Sequence, residues 1–112
     1  MLSFQRLDVY RCAVEFLAYA HSLSSEAPRG NASMFDQLKR AATSIPLNIG
    51  EAAGRTGTAD AARAYSIARG SAMECAAVLD ALLAINVIDA NDHTPGLQLV
   101  ERLVAMLTKL CR

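Results

Sequence analysis

The chain has 112 residues, of which 53% are hydrophobic and only 5% aromatic, and its 11 basic side chains are balanced by 11 acidic ones. A chain of this length buries roughly two-thirds of the surface that its unfolded form exposes, so it builds one hydrophobic core. The zero net charge argues against a dedicated nucleic-acid-binding domain, which is usually basic by several charges. We therefore predict a single domain over residues 1–112.

Glycine, proline and small polar residues gather at three places and divide the chain into four segments. The breaks lie at 24–31, 54–57 and 89–96, and each is short enough to join antiparallel neighbours. Within the segments, apolar residues recur at steps of three and four, which is the helical period. The sequence thus predicts an all-α protein, an up-down-up-down antiparallel four-helix bundle with helices at 4–24, 33–53, 58–88 and 95–111.

Local signals place the helix ends. Ser33 and Thr58 can serve as N-caps of the second and third helices, and Thr94 followed by Pro95 is typical of the start of a fourth. Pro46 lies inside the second helix. We expect it to bend that helix, because proline leaves the carbonyl four residues earlier without its hydrogen-bond donor.

Three helices carry two neighbouring apolar stripes, although a small bundle needs only one core face per helix. In the first helix the first stripe is Leu7, Tyr10, Val14 and Leu17, and the second is Val9, Cys12, Phe16, Tyr19 and Leu23. In the third, Ala61, Tyr65, Ala68, Ala72, Cys75, Leu79 and Leu82 lie beside Ile67, Val78, Ala81, Ile85 and Ile88. The surplus apolar surface predicts self-association through helix faces. A wide core face within a single bundle is the alternative interpretation.

Polar residues interrupt this pattern in two helices. A ridge along the second helix follows steps of four, four, three and four: Arg40, Ser44, Asn48, Glu51 and Arg55. Ser71 and Glu74 lie within the second stripe of the third helix.

A buried carboxylate at position 74 would require a cationic partner, for which the candidates are Arg40, Arg55 and Arg69. Glu51 and Arg55 have the spacing of an ion pair within one helix. The ridge is either a recognition or catalytic strip, or a structural or interfacial network. We favour the network, because neither a histidine nor a second carboxylate accompanies a nucleophile there.

Signals for catalysis, metals and membranes are absent from the sequence. The three cysteines, Cys12, Cys75 and Cys111, form no Cys-x-x-Cys pair and are predicted to be core thiols. His21 continues an apolar stripe and His93 lies in the third break, so both are interpreted as ordinary polar positions. No signal peptide and no membrane-spanning segment can be drawn, so we expect a cytoplasmic protein.

Each predicted helix contributes one glutamate to a set of four, and such a set is superficially similar to the ligands of a di-metal four-helix bundle: Glu15, Glu51, Glu74 and Glu101. Such centres also need Glu-x-x-His on two helices, and no such pair occurs in this sequence. We predict no catalytic residues, no metal and no cofactor.

Two segments resemble the motifs of a known family. The run QLKRAATSIPLNIGE at 37–51 is similar to the signature of the four-helix bundle proteins first noticed in intervening sequences of bacterial 23S ribosomal RNA genes. The run IARGSAME at 67–74 resembles the second motif of that family. The resemblance implies a bundle that assembles into a ring-shaped homopentamer and whose molecular role is largely undetermined. The motif residues carried over as candidate structural or interface positions are Arg40, Ser44, Asn48, Glu51, Arg69, Ser71 and Glu74.

A related branch of this family comprises accessory proteins of diversity-generating retroelements, which bind reverse transcriptase and nucleic acid through strongly basic surfaces. This neutral chain lacks that excess charge. The leading hypothesis is therefore a non-enzymatic homo-oligomer, with a pentamer favoured, that acts as an assembly or interaction module and can also bind another protein. The alternative is a nucleic-acid-associated accessory protein that binds RNA or DNA or a nucleic-acid enzyme, using Lys39–Arg40 and the Arg63 and Arg69 cluster. A hydrolase or metal enzyme that uses Glu51, Glu74 and a histidine is a weaker third hypothesis.

Overall fold

The computed structural model describes residues 1–26 and 30–112, and within these ranges the chain is helical and contains no strand. The four α-helices are α1 (Asp8–Ser25), α2 (Ala32–Ala53), α3 (Thr58–Ala84) and α4 (Ala90–Leu110). A short 3₁₀ helix, Ser3–Arg6, precedes α1.

The helices form an antiparallel bundle in which each contacts its two neighbours. In the described residues α1 packs on α2, α2 on α3, α3 on α4 and α4 on α1, whereas the diagonal pairs do not meet. Side-chain contacts fix the antiparallel direction of α3 and α4, because Asp80 reaches His93 near one end of the pair and Arg69 reaches Thr108 near the other. The predicted all-α four-helix bundle is confirmed.

Only some of the residues in the paired apolar stripes are buried in the core. In α1 the second stripe supplies the large buried side chains, including Cys12 and Phe16, while Val14 of the first stripe is exposed. In α3 the first stripe is buried at Leu79 and Leu82. The second stripe of α3 is divided, since Val78 and Ile88 are buried whereas Ile67 and Ile85 are about half exposed. A wide core therefore accounts for part of the apolar surplus, and the rest lies on the surface.

The first predicted helix is wrong at its start, because the chain is extended at Leu7 (φ −68°, ψ 135°) and divides the segment into the 3₁₀ helix and α1. The Phe4 ring holds the 3₁₀ helix against the bundle. It packs against Gly50 of α2 and lies edge-on to Tyr10, with ring centroids 5.0 Å apart.

The predicted N-caps also differ from those observed. Asn31 and Gly57 occupy the N-cap positions of α2 and α3, so Ser33 and Thr58 lie inside the helices. The second break is present, with Gly54 as the C-cap of α2. The first break falls partly outside the described residues, since 27–29 are not among them, and Ser24 belongs to α1.

The third predicted break is wrong in extent. α3 ends at Ala84, after which Asn86 adopts a left-handed conformation (φ 62°), and α4 begins at Ala90. Asp89 caps α4, because its side chain accepts a hydrogen bond from the backbone N–H of Asp92 at 2.9 Å. The predicted cap Thr94 therefore lies one turn inside the helix, and His93 belongs to α4 instead of a loop.

Helix α2 continues through Pro46, which is buried. None of the helices in the described part of the chain combines the length and the apolar character needed to cross a bilayer.

Candidate functional site

The polar ridge of α2 faces α3, and three of the predicted site residues meet there. The hydroxyl oxygens of Ser44 and Ser71 are 2.9 Å apart and join the two helices. The Asn48 carboxamide Nδ2 donates to the backbone carbonyl of Ser44 at 2.8 Å and to its hydroxyl oxygen at 3.0 Å. All three side chains are partly buried. We call Ser44, Asn48 and Ser71 the hydroxyl–amide cluster.

The other predicted site residues make different contacts. Glu51 and Arg55 form an ion pair along α2, as their spacing suggests, and both side chains are about half exposed. Arg69 faces the opposite side of α3, where its Nε donates to Thr108 Oγ1 at 2.8 Å. The predicted set is thus divided between the α2–α3 and α3–α4 grooves.

Glu74 is exposed within the single chain, so the condition under which we expected an arginine partner is not met there. Two of the three candidate partners are engaged elsewhere, Arg55 with Glu51 and Arg69 with Thr108. The third, Arg40, is also exposed. No ion pair among the described residues involves Glu74.

Two large apolar side chains flank the hydroxyl–amide cluster at the surface. Leu47 precedes Asn48 on the outer side of α2 and is 66% exposed, and Ile67 of α3 is 49% exposed. Ile67 shares with Asn48 a cleft of about 340 Å³ between the two helices. Sequence patterning missed Leu47, which belongs to no apolar stripe, although it lies three residues after Ser44 on the same side of the helix.

Charged residues surround this apolar and polar centre in equal numbers. We define the α2–α3 face as the hydroxyl–amide cluster, Leu47, Ile67 and six charged residues: Arg40, Arg55, Arg63, Glu51, Asp60 and Glu74. Three positive and three negative side chains leave the face without net charge. The outer side of α4 differs, since its exposed residues are mainly polar or charged and include Gln98, Glu101, Arg102 and Lys109.

The remaining reactive side chains do not converge on this face. His93 is buried, and its Nε2 lies 2.8 Å from Asp80 Oδ1 across the α3–α4 interface. Burial raises the pKa of the Cys75 thiol to about 12 and also raises the pKa of Cys12, so neither thiol supplies a thiolate near neutral pH. Within residues 1–26 and 30–112, no three histidine, cysteine or acidic side chains are grouped so that they could hold a metal ion.

Two comparisons with known proteins find matches. The fold is similar to the crystal structure of a protein of unknown function from the S23 ribosomal protein family of Bacteroides thetaiotaomicron, with a TM-score of 0.83. The two sequences are 22% identical, and the match covers 93% of this chain and 98% of that one. No curated protein matches the chain. The family model described as "23S rRNA-intervening sequence protein" matches residues 5–109. The chain therefore belongs to the 23S rRNA-intervening sequence protein family.

Proposed function

We propose that the protein functions as a homo-oligomer that assembles through the α2–α3 face and serves as a non-enzymatic assembly or interaction module. The observation that carries this proposal is the exposure of Leu47 and Ile67 on either side of a partly buried hydrogen-bonded cluster. Large apolar side chains around a central polar cluster resemble the core of a protein–protein interface more than a solvated helix surface.

The size and charge of the face suit a second copy of the chain. The 22 residues of α2 give a face about 33 Å long, and two helices side by side are about 20 Å wide. The resulting area of about 650 Å² approaches the roughly 800 Å² that each partner contributes to a standard interface. Because the chain has no net charge, long-range repulsion does not oppose the approach of a copy.

We favour the pentamer that the family resemblance implies. Light scattering coupled to size exclusion would test the assembly directly. A pentamer of the 12.0 kDa chain has a mass of about 60 kDa. A mass of 12.0 kDa throughout the micromolar range would contradict the proposal.

The non-enzymatic part of the proposal draws support from the reactive side chains. In the described part of the chain, neither His21 nor His93 makes a hydrogen bond to a serine or cysteine, so no nucleophile is paired with a histidine base. The raised pKa values of Cys12 and Cys75 make these thiols poor nucleophiles. We also propose a cytoplasmic location, with which three free thiols are compatible.

A nucleic-acid-associated role is the second candidate, and one observation favours it. A cleft of about 540 Å³ between α1 and α2 is lined by His21, Lys39 and Arg40. Asp36 lies in the same cleft, 3.5 Å from the Lys39 ammonium, and offsets part of that charge. Binding to RNA or DNA that weakens steeply with salt, and that Arg40→Ala reduces, would support this role. The absence of binding at low ionic strength would exclude it.

A further inference from the structure

We propose that the hydroxyl–amide cluster fixes the number of copies in the assembly, because a neighbouring copy completes its hydrogen bonds in only one register. This inference rests on the proposed function and adds to it a role for Ser44, Asn48 and Ser71. Apolar contacts around the cluster would supply the attraction between copies. The cluster would decide which arrangement of copies forms.

The cluster has unused hydrogen-bonding capacity within one chain. The two N–H groups of the Asn48 amide are directed at Ser44, but the amide oxygen Oδ1 has no partner among the described residues. The single Ser44–Ser71 contact uses one hydroxyl proton, whichever serine donates it. One hydroxyl proton is therefore left over. The cluster thus offers one hydroxyl donor, and the Asn48 amide oxygen among its free acceptors, to a molecule that covers it.

When a neighbouring molecule buries the spare hydroxyl donor and the Asn48 amide oxygen, the energy of the contact depends on whether that molecule pairs both groups. No fully buried side-chain polar atom in the described residues lacks a partner, so Asn48 Oδ1, which has none, is not fully buried and is reached by water in the single chain. When a second copy displaces this water, an unpaired hydroxyl or amide oxygen becomes costly. Arrangements of copies that leave the groups unpaired are then disfavoured relative to the arrangement that pairs them.

The surroundings favour a second copy over a small polar ligand as the occupant. Leu47 and Ile67 lie beside the cluster and would remain exposed around a small ligand, whereas a helix of another copy covers them. The charges on the face are also balanced, so they do not select a strongly anionic or cationic ligand. A polar group within an apolar helix interface is known to specify register and oligomeric state while it reduces stability.

The experiment replaces the polar groups by apolar ones of compatible size. In Asn48→Leu/Ser71→Ala both partners of Ser44 and the free amide oxygen are lost while the apolar surroundings remain, and both changes introduce better helix formers. The matched control is Ser22→Ala/Gln98→Leu, which makes the same Ser→Ala change and replaces another side-chain amide by leucine, at exposed positions on α1 and α4. Circular dichroism verifies folding, and native mass spectrometry with sedimentation velocity counts the copies.

We expect a single stoichiometry for the wild-type protein and the control, and at least two coexisting stoichiometries for the double variant. A double variant that keeps the wild-type stoichiometry, or that becomes monomeric, would overturn the inference. Should the double variant fail to fold, Asn48→Ala alone is expected to give the same mixture, and an unchanged stoichiometry would again overturn the inference. A monomeric wild-type protein would instead refute the proposed function and the inference together.

Discussion

The substitution Gly96→Ala tests the packing of α4 on α1. Gly96 is buried, and a Cβ atom at this position would overlap the ring of Tyr19. That ring cannot move freely, because its hydroxyl donates to the Asp92 carbonyl and the ring packs near that of Phe16, with centroids 5.6 Å apart. The same substitution at Gly70 meets nothing within 4 Å, since Gly70 is exposed in the middle of α3.

The two substitutions should therefore have opposite signs. Alanine is favoured over glycine inside a helix by about 1 kcal/mol, and this gain applies at both positions. At Gly96 it is offset by overpacking, which typically costs about 1–3 kcal/mol, and by the weakening of a hydrogen bond that contributes about 1 kcal/mol. We expect Gly96→Ala to lower the free energy of unfolding by about 1–3 kcal/mol, and Gly70→Ala to raise it by up to about 1 kcal/mol.

Urea unfolding monitored by circular dichroism, at one fixed protein concentration, measures both differences. Tyr19→Ala removes the ring that obstructs the new Cβ atom, so Gly96→Ala should cost less in that background than in the wild type. Equal stabilisation by alanine at positions 96 and 70 would refute the packing of α4 against Tyr19.

Two further predictions concern the start of α4 and the buried thiols. Asp89→Ala should lower stability by about 1 kcal/mol, because Asp89 caps α4. Thr94→Ala should change stability by less than about 0.5 kcal/mol. A larger loss for Thr94→Ala than for Asp89→Ala in thermal unfolding would place the cap at Thr94. A thiol reagent at pH 8 should modify Cys111 in the folded protein but reach Cys75 only on unfolding. Because the folded pKa of Cys75 is about 12, against 9.0 for the free thiol, stability should fall as the pH rises from 9 towards 12. If a Cys75→Ala variant lost stability equally steeply between pH 9 and 12, the loss would have to come from other titrating groups.

The sequence predicts the bundle well because each helix carries an apolar stripe of the helical period, and burial of these stripes is what joins the helices. The predicted start of α4 is wrong because Asp89 and Thr94 are both residue types that favour the N-cap position. The local sequence does not show which of these two residues caps the helix. The burial of Ile88 and His93, which decides between them, depends on α3 and is a tertiary effect.

The candidate site was predictable in composition but not in arrangement. The polar ridge of α2 follows from the spacing of its residues, and so does the Glu51–Arg55 pair. The contact between Ser44 and Ser71 depends on how far α3 is shifted along α2, and that shift is set by packing instead of by either segment alone. Arg69 lies two residues before Ser71 and therefore on the other side of α3, but its hydrogen bond to Thr108 depends on how α4 packs on α3.

Association through the α2–α3 face is tested most directly by comparing Ile67→Glu with Ala105→Glu in sedimentation equilibrium. Both positions are exposed in the single chain, but Ile67 lies on the α2–α3 face and Ala105 on the outer side of α4. A carboxylate at position 67 would lose its hydration in the interface between copies, and an ion pair with Arg63 one turn away would not replace the lost apolar contact. Ile67→Glu should therefore sediment as a 12.0 kDa monomer, while Ala105→Glu and the wild-type protein remain assembled. An assembled Ile67→Glu with the wild-type mass would contradict association through this face.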